Sequence, residues 1–217
     1  VLSLPDCRQL ALGNEKQQDT AWMKYVEACT IESKATTEPA DIKIEVARGG
    51  EYKIRLEDGT TVWLNSESSL IYPEKFTGDK RAVRLSGEGY FEVARDEKKP
   101  FIVSVTDMEI KVLGTKFNVT AYQDEKMTTT TLISGAVEVV TPHRSVQLQP
   151  GKQAMVQEGG DDITVLEVDV ELATSWTAGI FKFDKMALTD ICTRLSRWYD
   201  IDFVFEGETG KEKFTGG

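Results

Sequence analysis

The residue types that most often carry chemistry are scarce or badly placed in this chain. One histidine serves 217 residues, and it stands in Thr141-Pro142-His143-Arg144, a sequence suited to a hairpin tip. Imidazole is the usual general base and the commonest metal ligand. A histidine-rich metal site is therefore excluded, and a Ser-His-Asp triad would have to use His143. No Ser or Cys occupies the strand-to-helix elbow that activates a nucleophile, so His143 reads as a solvated turn residue. Gly87-Glu88-Gly89 and Gly114-Thr115-Lys116 carry the glycines of a phosphate loop. Both lead into strands, whereas a phosphate cradle needs a helix N-terminus behind it, and they read as tight turns or bulges.

The 36 acidic residues will form carboxylate pairs at glycosidase spacing by chance, so no such dyad is inferred. Asp161-Asp162 after Gly159-Gly160 make a turn that lacks the spaced oxygen ligands of a calcium loop. Cys7, Cys29 and Cys192 are an odd count without a disulfide framework, although a Cys7–Cys29 bridge is allowed in an oxidising compartment. Cys192 falls on an apolar helical stripe and reads as a small core residue. Asn118-Val119-Thr120 spells a glycosylation sequon, which matters only in a eukaryotic secretory setting. No catalytic, metal-binding or cofactor-binding residue is assigned, and the chain is read as non-enzymatic. Aromatics on a β scaffold can read sugars, so Trp63, Tyr72 and Tyr90 keep open an alternative, a carbohydrate-binding β module. Aromatics also fill β cores. A hydrolase reading would rest on His143 or a carboxylate pair.

Net charge is −10, from 26 Lys and Arg against 36 Asp and Glu. Phosphate backbones are bound by clustered cations that release counterions, so nucleic acid is excluded as a partner. No stretch approaches the roughly 20 apolar residues of a transmembrane helix, and the opening Val-Leu-Ser-Leu-Pro is too short and uncharged for a signal peptide. The chain begins without Met and ends at Phe214-Thr215-Gly216-Gly217, where a strand is starting. It reads as an excised soluble fragment.

Three textures divide the sequence. Residues 1–40 are polar, with one helical signal in Trp22, Tyr25, Val26 and Cys29 and a linker over Ala35–Ala40. Residues 41–168 alternate with period two, as in Ile42-Lys-Ile44-Glu-Val46, Tyr52-Lys-Ile54-Arg-Leu56, Phe101-Ile-Val103-Ser-Val105 and Phe117-Asn-Val119-Thr-Ala121. Turn residues separate these strands at the spacing of a sandwich, barrel or solenoid. The Thr run 128–131 reads as a strand with both faces half exposed. From residue 169 the period changes: Ile180-Phe-Lys-Phe183 as strand, a helical run at Leu188, Ile191, Cys192, Leu195, Trp198 and Tyr199, then strand again over Ile201-Asp-Phe203-Val-Phe205. These three give one strand–helix–strand half-unit of split βαβ type, and Lys213-Phe214-Thr215 opens a further strand.

One hairpin can be read in register. A two-residue turn at Asp58-Gly59 would mix apolar and charged residues on each face. The loop Glu57-Asp58-Gly59, with Gly59 left-handed, puts Tyr52, Ile54, Val62 and Leu64 together and Trp63 on the opposite face.

Five ordered runs together resemble the signature of the FecR family. They are Asp58-Gly-Thr-Thr-Val-Trp-Leu-Asn65 with Ser69-Leu-Ile-Tyr-Pro73, Val83-Arg-Leu-Ser-Gly-Glu-Gly-Tyr-Phe-Glu-Val93, Lys99-Pro-Phe-Ile-Val103, Val112-Leu-Gly-Thr-Lys-Phe-Asn-Val119 and Thr131-Leu-Ile-Ser-Gly-Ala-Val137. Trp176-Thr-Ala-Gly-Ile-Phe-Lys-Phe183, Leu188 and Leu195-Ser-Arg-Trp-Tyr199 resemble the small C-terminal domain of its Bacteroidetes branch, a relative of the secretin and TonB short N-terminal fold. The resemblance implies an anti-sigma factor that relays the state of a TonB-dependent outer-membrane transducer, responding to iron or glycan uptake, to an extracytoplasmic-function sigma factor. In that family a cytoplasmic segment binds the sigma factor, one helix crosses the inner membrane, and the sensor region is periplasmic. On that resemblance this chain would correspond to the periplasmic portion, without segment or anchor. The alternative becomes a periplasmic carbohydrate-binding module.

The expected fold is mainly β: an antiparallel β-sandwich or twisted, β-solenoid-like domain over 41–168, then an incomplete α+β domain of split βαβ type over 169–217. Gly59, Trp63, Asn65, Gly87, Phe91, Pro100, Gly114, Phe117 and Gly135 are expected to be structural. Partner contact is expected at strand edges near Phe181, Phe183, Phe203 and Phe205, with Trp198 and Tyr199.

Overall fold

The computed structural model describes residues 41–106, 108–206 and 212–217, and before them the backbone of three strands at 2–3, 9–10 and 29–33. In chain order the strands are β1 (Leu2–Ser3), β2 (Gln9–Leu10), β3 (Cys29–Ser33), β4 (Asp41–Val46), β5 (Tyr52–Arg55), β6 (Thr61–Leu64), β7 (Ser68–Pro73), β8 (Arg81–Glu92), β9 (Phe101–Val105) and β10 (Met108–Val112). They continue as β11 (Lys116–Ala121), β12 (Met127–Ser134), β13 (Val137–Val140), β14 (Ser145–Leu148), β15 (Lys152–Gln157) and β16 (Ile163–Glu167). Helix α1 (Val170–Thr174), a 3-10 turn (Ser175–Ala178), β17 (Phe183–Ala187), α2 (Leu188–Tyr199) and β18 (Lys213–Gly216) complete the chain. The helix expected at Trp22, Tyr25 and Val26, the linker at 35–40 and Cys7 lie outside the described residues. Cys29, the last member of that helical stripe, instead opens β3, which pairs with β4.

Strands β3 to β16 form two sheets that share β8. The first runs β3-β4-β7-β8-β9-β10-β13-β14 and the second β5-β6-β8-β11-β12-β15-β16. Every pairing is antiparallel except β8 with β9. The first half of β8 pairs with β7 and β9, and the second half with β6 and β11. Gly87 sits at the crossing with φ +93°, where a Cβ would stand 2.7 Å from the Cα of Ser68. Only glycine supplies both the sign of φ and the space.

One apolar core fills the gap between the sheets. It takes Ile44, Leu70, Val103 and Ile110 from the first and Val62, Leu64, Val119 and Leu132 from the second. Phe91, Phe101 and Phe117 are fully buried, with Phe91 stacked on Phe117 at 5.0 Å and 6.3 Å from Phe101 across the sheets. Each such ring contributes roughly 1.5–3 kcal/mol on burial.

The β5–β6 loop has the predicted three-residue form. Leu56 N–H donates to Thr60 O at 2.8 Å, Gly59 has φ +86°, and Tyr52 faces Leu64 while Ile54 faces Val62. Trp63 turns to the other face, edge-on to Tyr90 at 5.3 Å. Asp58 accepts from Thr60 N–H (3.0 Å) and Oγ1 (2.7 Å) and from buried Arg81 Nη1 (2.7 Å). Arg81 also donates to Ala94 O at 2.8 Å and, through Nε, to Lys99 O at 2.9 Å, so it ties the loop to both ends of the connection before Phe101.

Three expectations are corrected. Residues 201–205 form no strand: among the described residues β17 pairs with β18 instead, antiparallel. The strand expected over 180–183 begins only at Phe183, since the 3-10 turn runs to Ala178 and Gly179 reverses the chain at φ +70°. In the Thr run, Thr130 and Thr131 are buried, because β12 is an interior strand between β11 and β15 and α1 lies against it. Asn118 is 2% exposed, so the sequon cannot be modified in the folded chain. His143 is exposed at the β13–β14 tip as expected, with Nε2 3.6 Å from Asp161 Oδ2.

Candidate functional site

Helix α2 has an apolar stripe and a polar side. Its apolar stripe buries Ile191 and Cys192, and the helix packs on β17 of its own small sheet. At about 100° per residue, Arg197 lies on the opposite side of the helix from that stripe. An arginine there would ordinarily face water. Arg197 is instead 4% exposed.

The β body supplies its surroundings. Arg197 Nη2 donates to both oxygens of Asp124 at 2.7 Å, and Nη1 to Glu125 Oε1 at 2.5 Å. Glu67 Oε2 stands 3.2 Å from Nε, and the guanidinium lies 3.8 Å from the centroid of the Tyr122 ring. Asp124 and Glu125 belong to the β11–β12 turn, and Glu67, with φ +56°, to the turn before β7. Burial pulls the Arg197 pKa down, but the hydrogen bonds to Glu125 and Asp124 and the adjacent charges outweigh it, and the net shift is upward. Burial pushes the Tyr122 hydroxyl far up, and it donates to Ser66 O at 2.9 Å. The cradle therefore holds a permanent cation on a neutral ring.

A second arginine fixes the end of α2. Arg48, in the β4–β5 turn, donates through Nη2 to Ser196 O at 3.0 Å, Ile201 O at 2.8 Å and Asp202 Oδ1 at 3.0 Å. Gly49 N–H donates to Arg197 O at 2.7 Å. The Gly49 donor takes up a carbonyl that a helix end leaves unpaired. The helix closes with Asp200 left-handed at φ +52°, its carboxylate 3.4 Å from Arg48 Nε.

Upstream, the 3-10 turn is pinned by Trp176, which is buried and donates from Nε1 to Asn118 Oδ1 at 3.2 Å. Asn118 Nδ2 donates to Glu88 Oε1 at 2.9 Å, Thr120 Oγ1 to the same oxygen at 3.2 Å, and Asn65 Nδ2 to Oε2 at 2.8 Å. The glycine-flanked Glu88 thus organises side chains under the C-terminal segment.

The residues assigned to partner contact separate into two groups. Phe181 and Phe183 meet at 5.9 Å beside β17. Trp198 and Tyr199 border a cleft of about 610 Å³ whose far wall includes Tyr52, Trp63 and Leu64, and Tyr199 is 62% exposed. The chain then continues through Ile201, Phe203, Val204 and Phe205, all exposed, with Val204 at 89%. Trp63 and Tyr90, weighed above for sugar binding, are packed against each other, with Lys53 Nζ 4.5 Å from the Trp63 ring centroid. Half-buried Tyr72 packs on the core. Arg48, Glu67, Tyr122, Asp124, Glu125 and Arg197 went unnoticed in the sequence. Arg197 lies inside the Leu195–Tyr199 run, but nothing in the helical pattern separates a docked arginine from a solvated one.

Comparison with known proteins is consistent with this layout. Residues 42–138 match the family described as FecR protein and residues 180–217 that described as FecR, C-terminal. Two crystal structures of a candidate anti-sigma factor from Parabacteroides distasonis are similar, each with TM-score 0.76. One is 33% identical over 81% of this chain and 83% of that one, the other 34% identical over 80% and 82%. No curated protein matches the chain.

Proposed function

Because this chain belongs to the FecR family of anti-sigma factors, we propose that it is a periplasmic signal-receiving region that relays the state of a TonB-dependent outer-membrane transducer to an extracytoplasmic-function sigma factor. The family is regulatory, and the function proposed here is contact. Among the described residues no helix is long and apolar enough to cross a membrane. The sigma factor would be met through a cytoplasmic segment and an inner-membrane anchor outside this sequence.

The observation that carries the reading is the strip Ile201–Phe205. Its backbone belongs to no sheet, its sequence has strand alternation, and its apolar side chains are exposed. Residues with high β propensity and unpaired N–H and C=O groups are a template for strand addition by a partner. The edges of the β17–β18 pair, with Phe181 and Phe183, and separately Trp198 and Tyr199 are proposed as further contacts.

Calorimetry against the purified signalling domain of the transducer encoded beside this gene tests the proposal. Val204→Pro removes an N–H from the strip, and Phe203→Asp with Phe205→Asp places charge on it. Each is expected to weaken binding at least about tenfold, the size of a lost anchor residue. Wild-type affinity in both variants would sink the assignment.

A further inference from the structure

We propose that residues 180–217 are a releasable unit, fastened to the β body by an arginine latch. Arg197 in its cradle of Asp124, Glu125 and Glu67 is the bolt, and Arg48 is the catch on the strip that follows. That this release accompanies partner binding rests on the function proposed above. The latch itself does not.

Four observations converge on it. The apolar core contains no residue beyond Ile163, so nothing after the last sheet strand is needed to fill it. Helix α2 lies against β17 of its own small sheet, and its ion pairs with the β body all run through Arg197, on the side of the helix opposite Ile191 and Cys192. Where aromatic residues of the two parts face one another, Trp198 and Tyr199 against Tyr52 and Trp63, a cleft of about 610 Å³ lies between them. The unit also starts at a swivel. Gly179 is exposed and left-handed at φ +70°, immediately after the turn pinned by Trp176.

Charge contacts of this kind form and break without changing either partner's core. The side chains of Asp124 and Glu67 are 67% and 40% exposed, so salt weakens their hold on Arg197. Arg48 binds Ile201 O and Asp202 at the root of the exposed strip. Drawing the strip into another sheet would compete for those groups, pulling first on Arg48 and then, one helical turn back, on Arg197. Coupling of this form is reciprocal, so a looser latch favours whatever binds the released strip.

Hydrogen exchange of the whole chain, without any partner, tests the latch. The variant Asp124→Asn with Glu125→Gln keeps the cradle's shape and removes two charges. Amides of α2 are expected to exchange about tenfold faster in this variant, the effect of losing two partly exposed ion pairs. Wild type should move the same way between low and molar salt, while amides of β8, β11 and β12 keep their protection. Unchanged α2 exchange under both perturbations would overturn the proposal. So would equal loss of protection in α2 and both sheets, because residues 180–217 would then open only when the β body unfolds. Should the variant fail to fold, the salt series on wild type distinguishes the same outcomes by itself. Opening without transducer binding would leave the latch standing and remove only the partner assignment.

Discussion

Gly87 joins the two sheets. Replacement by alanine meets two costs together: φ +93° is strained for any residue with a Cβ, and that Cβ would be driven into the Ser68 backbone. Gly87→Ala should lose about 3 kcal/mol of stability, read as a lower urea midpoint at unchanged slope. Glu51 behaves differently. It stands in the mouth of the aromatic cleft, exposed over part of its side chain, and partial burial pushes its carboxyl up to about 7 from 4.5. A raised carboxyl pKa means that the folded chain holds the proton more tightly than the unfolded one. Its stabilising contribution is complete below the unfolded value and is lost as pH rises through the folded one. Wild type should therefore lose more Tm between pH 5 and pH 8 than Glu51→Gln does. Parallel pH profiles for the two proteins would assign that titration to other groups.

Among the elements, strands are far easier to read than their partners or their burial. Alternation located β4, β9 and β11 to within a residue or two, and the clash of faces at Asp58-Gly59 was enough to choose the bulged loop and send Trp63 outward. The helical period marked α2 from Leu188 to Tyr199. What local pattern cannot carry is the identity of the neighbour. Ile201–Phe205 has the sequence of a strand but no strand beside it among the described residues, and the Thr run became an interior strand because β11, β15 and α1 surround it. Arg197 was invisible for the same reason, since its burial is decided by Asp124 and Glu125, more than seventy residues away in sequence. The β12 environment makes a prediction of its own. Thr130 is fully buried on the core side, and its hydroxyl has no hydrogen-bond partner among the described residues. Thr130→Val should remove that desolvation cost and stabilise the fold by about 1 kcal/mol, seen as a higher Tm, and a loss of stability would mean that the hydroxyl is bonded.

At the scale of the whole molecule, the chain is a large two-sheet body bearing a small α+β unit on charged contacts. The acidic balance that first excluded nucleic acid now has a local expression, because the cradle around Arg197 is part of that excess of carboxylates. If the body owes its cohesion to the shared β8 and the core between the sheets, it should survive without the unit. A chain ending at Gly179 keeps every core residue from Ile44 to Ile163 and the Trp176 anchor on Asn118. It loses the latch, α2, the exposed strip and the small sheet. Such a chain should unfold in one cooperative transition with Tm within about 8 °C of the full chain, since one or two kcal/mol of interface shifts a domain of this size no further. Its near-ultraviolet circular dichroism should retain the sharp bands of packed aromatics. A broad transition or collapsed aromatic bands would mean that residues 180–217 complete the body's fold, and the division between a body and a unit docked upon it would have to be abandoned.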